Sequence, residues 1–155
     1  MGKKITCKKI TTGDVPLIFA NNLSRIVNKS WESGEFLKNC SPITENLLIW
    51  WFGEECESRD INFHLGQKQA ILNIIYCYEI LKSEDLMNLY RIVEAESSEE
   101  FINDKIIDAL SIDKYKSLKY CVKMATGTGK TFVMNAIFIW QLLNALKNKK
   151  TKLSI

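Results

Sequence analysis

The stretch that most constrains this chain is Met124-Ala125-Thr126-Gly127-Thr128-Gly129-Lys130-Thr131, set between an apolar run and a long apolar-periodic segment. A polyphosphate presents several negative oxygens, and backbone N–H groups reach them only where side chains are absent. Gly127 and Gly129 suit that close approach and the positive φ it demands. A helix beginning at once adds its unpaired N–H groups and the positive end of its dipole to the same cradle. Lys130 supplies a point charge for the β- and γ-phosphates, and Thr131 a hydroxyl for Mg²⁺, which takes few protein oxygens. Lys130 and Thr131 are thus the candidate catalytic residues, and Ala125 to Thr131 the candidate phosphate-binding loop. The pattern G-x-x-x-x-G-K-[ST] asks for Gly at 124, where this chain has Met. The plain alternative is a Gly-rich turn with an incidental Lys.

The flanks fit the loop. Lys119-Tyr120-Cys121-Val122-Lys123-Met124 predicts a short buried strand. Thr131 to Leu146 predicts a helix with Val133, Ile137, Trp140 and Leu143 to Leu146 as its apolar positions, so the order is strand, loop, helix. That helical run is broken by Asn135, Gln141 and Asn144 and is shorter than the ~20 residues of a membrane span. It is expected in a core, with no membrane association.

The 155 residues suffice for one domain with a core, and 46% hydrophobic with 25% charged residues is ordinary for a globular protein. A net charge of +3 argues for neither nucleic acid nor an anionic membrane. Cys7, Cys40, Cys56, Cys77 and Cys121 are scattered and contain no C-x-x-C pair. They are expected as reduced, mostly buried thiols of a cytoplasmic protein, without a metal site or disulfide framework. The basic N-terminus lacks the apolar region of a signal peptide, and Met1-Gly2 with Thr6 is only a short formal match to an acylation pattern.

Along the chain, Lys3 to Ile10 is rich in β-branched residues and predicts a strand or an ordered tail. Asp14 opens a helix to about Lys29, with Val15, Ile18, Phe19, Leu23, Ile26 and Val27 on one face. Ser41-Pro42 starts a helix to Phe52: Ser accepts from first-turn N–H groups, and Pro lacks an N–H that would be unpaired there. Trp50 and Trp51 are adjacent and cannot both face one core, so one is expected under a neighbouring element; no basic residues interleave to favour a platform for bases. Glu54 to Asn62 is expected as a loop. Lys82 to Leu118 holds two helical patterns, Ser83 to Ala95 and Ser98 to Leu110, each opened by Ser and acidic residues, with Glu94 to Glu100 as a solvated acidic turn. Lys147 to Lys150 places cations at a helix C-terminus, and Thr151 to Ile155 opens like a further strand.

A second informative stretch, Phe63 to Leu81, predicts a helix opening near Gly66 with Ala70, Ile71, Ile74, Ile75, Tyr78 and Leu81 on a broad apolar stripe. Gln67 stands at its start. Its amide can offer a donor and an acceptor to one planar edge, as adenine requires at N6 and N7; an exposed first-turn Gln is the bland alternative. Phe63 could stack on the ring or sit in the core, and the lone His64 receives no role.

Met124 to Thr131 resembles the first nucleotide motif of superfamily 2 helicases and translocases, in which the leading Gly is often replaced. In those motors a Gln three residues before an Ala reads the adenine; here Gln67 precedes Ala70 by three. The Pro42 to Phe52 helix, the Gln67 helix and the phosphate loop follow in the order seen in the type III restriction subunit and related DEAD/DEAH-box proteins, a resemblance covering roughly residues 41 to 150. It implies an α/β fold, the N-terminal part of a P-loop (RecA-like) motor domain, mostly helical up to the first phosphate-loop strand and with an incomplete sheet. The expected layout is an N-terminal extension, 1–40, then the start of the ATPase domain, 41–155, with the adenine-motif helix at 65–81, a helical insertion at 82–118, the loop at 124–131 and truncation at 155. It further implies ATP and Mg²⁺, and for a full-length protein duplex DNA and a modification (methyltransferase) subunit as partners. The Asp-Glu box, later arginines and any nuclease domain would lie beyond Ile155. A P-loop kinase or other NTPase, or a catalytically silent nucleotide-binding fragment, are the competing expectations.

Overall fold

The computed structural model describes residues 11, 13–83, 85–98, 100–112 and 119–147. Those residues fall into two compact units, one from Met1–Ile26 and Glu84–Leu118, the other from Val27–Ser83 and Lys119–Ile155. The predicted strands at Lys3 to Ile10 and Thr151 to Ile155 lie outside the described residues.

Helix α1, Val15–Glu32, crosses from the first unit to the second. It follows Asp14, whose carbonyl takes the N–H groups of Leu17 and Ile18 and whose carboxylate takes the N–H and hydroxyl of Thr11. In the first unit, Val15 and Leu23 are buried and Phe19 stacks on Tyr90 at 4.3 Å. Tyr90 belongs to α5, Leu86–Ala95, which α6, Asp104–Leu110, accompanies. Both helices are shorter than expected, because the caps are not the serines. Asp85 accepts from Asn88 N–H and Asn103 from Ile106 N–H, so the chain turns helical only after them. Nor is Glu94 part of a solvated turn. It lies in the last turn of α5, and its carboxylate takes the N–H groups of Phe101 and Ile102, both at 2.6 Å.

The second unit holds α2, Glu35–Lys38, α3, Pro42–Phe52, α4, Leu65–Ile75, and α7, Lys130–Lys147, which packs on α3 and α4. Helix α3 has the bounds the sequence predicts: Ser41 accepts from Thr44 N–H at 3.2 Å, and Pro42 stands at the first helical position. Trp51 turns into the core, whereas Trp50 is exposed and carries the Arg59 guanidinium 4.6 Å above its ring, with Arg59 also donating to Trp50 O. The expected loop after α3 contains a 3₁₀ segment, Glu54–Ser58.

Beyond Ile75 the predicted α-stripe breaks down. Tyr76–Ile80 is a π-segment, closed by Leu81 N–H to Tyr76 O at 2.9 Å. The wider turn brings Tyr76 and Cys77 inward in place of Tyr78, which is exposed. It also delivers Glu79 to the N-terminus of α3, where its carboxylate takes the N–H of Ser41 and, at 2.7 Å, the hydroxyl of Thr44. Trp140 of α7 donates to the same Thr44 oxygen at 2.8 Å and Asn144 at 3.1 Å. Thr44 is completely buried, and its one donor and two acceptor positions are all used. This network fixes three helices together, α7 being the one that leaves the glycine-rich loop.

Lys119 to Met124 forms no strand, and no strand occurs among the described residues. The segment has strand composition, but a strand exists only through a ladder partner. Unpaired backbone N–H and C=O groups must otherwise turn to water, and most of these residues are exposed. Of the cysteines among the described residues, Cys77 is buried, Cys40 and Cys56 are half-buried and Cys121 is exposed, so the expectation of mostly buried thiols is only partly met there; Cys7 lies outside the described residues.

Candidate phosphate site

Helix α7 starts at Lys130, directly after Gly129, and the backbone leading to it is one that glycine favours. Gly127 has φ 80° and Gly129 φ 74°. Open space surrounds Gly127, whereas a Cβ on Gly129 would stand closer than 3.0 Å to Gln67 Nε2. Gly129 is thus demanded twice, by its dihedral and by its neighbour. Within the loop, Thr128 Oγ1 donates to Ala125 O at 2.7 Å and Thr128 N–H to the same oxygen at 3.4 Å, while Lys130 Nζ donates to Met124 O at 2.7 Å and Ala125 O at 3.2 Å. The Lys130 ammonium is therefore held over the loop's own carbonyls. Ala125, Thr126, Gly127, Gly129, Lys130 and Thr131 are exposed and Thr128 half-buried, so the loop is open to solvent.

Gln67, 61 residues away in sequence, meets this loop. It is 5% exposed, which removes the bland reading of a solvated first-turn residue. Its Oε1 accepts from His64 N–H at 3.0 Å, an arm of a capping arrangement at the start of α4, and its Nε2 donates to Thr128 O at 3.1 Å. An amide has two donors and two acceptor positions, so one N–H and one lone pair remain.

One contact here is not foreseeable in the sequence. His64 Nε2 lies 3.1 Å from Thr128 O, and the only signal was its position three residues before Gln67. Phe63 stacks on Phe132 of α7 at 4.4 Å and meets Trp51 and Phe52 edge-on, which is the core reading of that residue. The stack ties the entry of α4 to the first turn of α7.

A separate cleft of about 400 Å³ opens at the far half of α7, lined among others by Cys40, Ser41, Glu79, Lys82 and Asn144. Trp140 and Asn144 lie roughly 15 to 20 Å along the helix from Lys130 at 1.5 Å per residue, so this cleft is separate from the glycine-rich loop. Burial, with Glu79 and Glu45 nearby, pushes the Cys40 thiol up to about 12, which removes it as a nucleophile. Burial, with the ionisable groups of Cys77 and Tyr78 nearby, pushes the Tyr120 phenol up to about 12 as well. Among the described residues no group of three or more His, Cys, Asp or Glu could hold a metal ion, and no helix is long and apolar enough to cross a membrane.

A glycine-rich loop thus opens a helix and is reached by a buried Gln from an earlier helix. Residues 60–153 match the family model of the type III restriction enzyme, res subunit, and the chain belongs to that family. The matched span begins just before α4 and takes in both Gln67 and the loop. No curated protein and no solved structure matches the chain.

Proposed function

We propose that this chain binds ATP with Mg²⁺ through Ala125 to Thr131 and forms the nucleotide-binding front of a RecA-like motor, beginning near Ser41, that works on duplex DNA with a modification subunit in restriction of foreign DNA. The observation that carries this is the pair of positive-φ glycines leading straight into α7, with the Lys130 and Thr131 side chains exposed on its first turn. The residues suit the ligand. Loop N–H groups and the α7 N-terminus face an anion without side chains in the way, and Lys130 can exchange the carbonyls of Met124 and Ala125 for phosphate oxygens. The exposed Thr131 hydroxyl would hold Mg²⁺, which supplies charge neutralisation between the phosphates. Gln67 would offer its remaining N–H and lone pair to adenine.

The test is titration with a fluorescent ATP analogue and Mg²⁺, with circular dichroism confirming that chain and variant are folded. Saturable binding lost in Lys130→Ala supports the reading. A folded chain that does not bind, or binds equally well as Lys130→Ala, overturns it.

A further inference from the structure

His64 sits just before α4, exposed, and is the chain's single histidine. We propose that it is a positioning residue for the phosphate loop, clasping the Thr128 carbonyl so that the Gly129 N–H is aimed at the phosphates; the proposal rests on the nucleotide reading above.

The Thr128 oxygen can only accept, so the His64 nitrogen 3.1 Å away must carry its proton, which fixes the tautomer with hydrogen on Nε2. Gln67 Nε2 donates to the same oxygen at 3.1 Å, and the two donors fill the carbonyl's two lone pairs. On its other side Thr128 is held by the bonds from its N–H and hydroxyl to Ala125 O. The residue in the middle of the loop is thus pinned from within by Ala125 and from α4 by His64 and Gln67.

The Thr128–Gly129 peptide is trans, as no cis bond occurs among the described residues, so its N–H points opposite to its C=O. Drawing the carbonyl towards α4 therefore turns the Gly129 N–H to the other face of the loop. Rotation of that peptide is governed by ψ of Thr128 and φ of Gly129. A glycine at φ 74° resists rotation least of all residues, so the restraint has to come from outside the backbone. His64 and Gln67 supply it. Because the clasp acts on the loop and not on the base, loss of His64 weakens every polyphosphate alike.

The test compares the full chain with His64→Ala, His64→Phe and His64→Gln in two measurements. In the first, Mg²⁺ complexes of ATP, GTP and inorganic tripolyphosphate are titrated. His64→Ala and His64→Phe are expected to weaken all three by about three- to tenfold, the worth of one hydrogen bond, with an unchanged ATP-to-GTP ratio. His64→Gln, whose Nε2 is as many bonds from Cα as the His nitrogen, restores the affinity. Loss for ATP with tripolyphosphate unaffected overturns the proposal, because His64 would then be touching the nucleoside. The second measurement is amide hydrogen exchange of the ligand-free chain over residues 125–132. His64→Ala is expected to exchange about three- to tenfold faster there, with His64→Gln at the native rate. Unchanged exchange overturns the clasp even if binding falls. If the native chain binds none of the three ligands, the nucleotide reading fails, while the exchange rates still decide whether His64 holds the loop.

Discussion

Replacing Gly129 with Ala tests the junction between α4 and the loop most directly. The added Cβ meets two obstacles: a φ of 74°, and Gln67 Nε2 closer than 3.0 Å. The left-handed backbone costs a residue with a Cβ about 1 kcal/mol. The second obstacle is the end of a side chain, which would be cheap to move if it were free, but Gln67 is buried and tied at both amide ends. Since the amide is one planar unit, moving Nε2 away takes Oε1 with it, and two hydrogen bonds at about 1 kcal/mol each are lost. The sum is about 3 kcal/mol, a fall of about 1.5 M in the urea midpoint for an m-value of about 2 kcal/mol/M. With Gln67→Ala already in place the clash is gone, and Gly129→Ala is left with the backbone cost of about 1 kcal/mol. A double-mutant cycle by urea unfolding should therefore return a coupling of about 2 kcal/mol. Equal costs for Gly129→Ala in the two backgrounds would show that the Gln67 amide does not sit over Gly129, and would refute the reasoning.

Three further outcomes can be measured. Gln67→Ala is expected to lower ATP and GTP binding together through the lost bond to Thr128 and, in addition, to narrow the ATP-over-GTP preference; an unchanged ratio in paired titrations would remove the adenine assignment. Thr44→Val keeps the shape of a fully buried residue but removes the acceptor shared by Trp140 and Asn144, leaving the indole N–H only Glu79 at 3.3 Å, and should cost about 2–3 kcal/mol in urea unfolding, against about 1 kcal/mol for Thr44→Ser, which keeps the hydroxyl. Burial pushes the Cys77 thiol from 9.0 up to about 12. The unfolded chain thus ionises first as pH rises, and this residue's contribution is complete below pH 9.0 and is lost towards 12. Between pH 9 and 11 the native chain should lose stability more steeply than Cys77→Ala, and parallel slopes would count against a buried neutral thiol.

What the sequence discloses about this fold is whatever is local. The start of α3 is legible because Ser41 and Pro42 act on N–H groups within one turn, and α7 because a glycine-rich loop must hand over to a helix. The caps of α5 and α6 are just as local, yet Ser83, two residues ahead of Asp85, and Ser98, five ahead of Asn103, are equally good cap residues by type, and only packing decides which turn closes first. The π-segment leaves no trace in a pattern that scores positions at 3.6-residue spacing. It was hidden in Phe63 to Leu81, where the inward residues shift to Tyr76 and Cys77. Lys119 to Met124 fails in the opposite way. Its composition is that of a strand, but a strand is a property of a pair, and no strand pair occurs among the described residues. The site divides along the same line: Gly127, Gly129, Lys130 and Thr131 are legible as a motif, whereas the contacts of His64 and Gln67 with Thr128 span more than sixty positions and are set by how α4 lies on α7.

That packing gives the second unit a mechanical logic. Helix α7 is held near its start by the Phe63–Phe132 stack and eight residues later by Trp140, whose indole N–H reaches Thr44 and, at 3.3 Å, Glu79. Glu79 is available there only because the π-segment turns it towards α3. The same continuous segment, Leu65 to Ile80, thus grips the loop at its beginning through Gln67 and the far half of α7 at its end through Glu79. A helix anchored at two points against one neighbour cannot slide without breaking one set of bonds, so the position of Lys130 is coupled to that of Gln67 through rigid packing as well as through Thr128. A loop with two positive-φ glycines needs such a frame: its own backbone permits many shapes, and the one adopted is selected by what surrounds it.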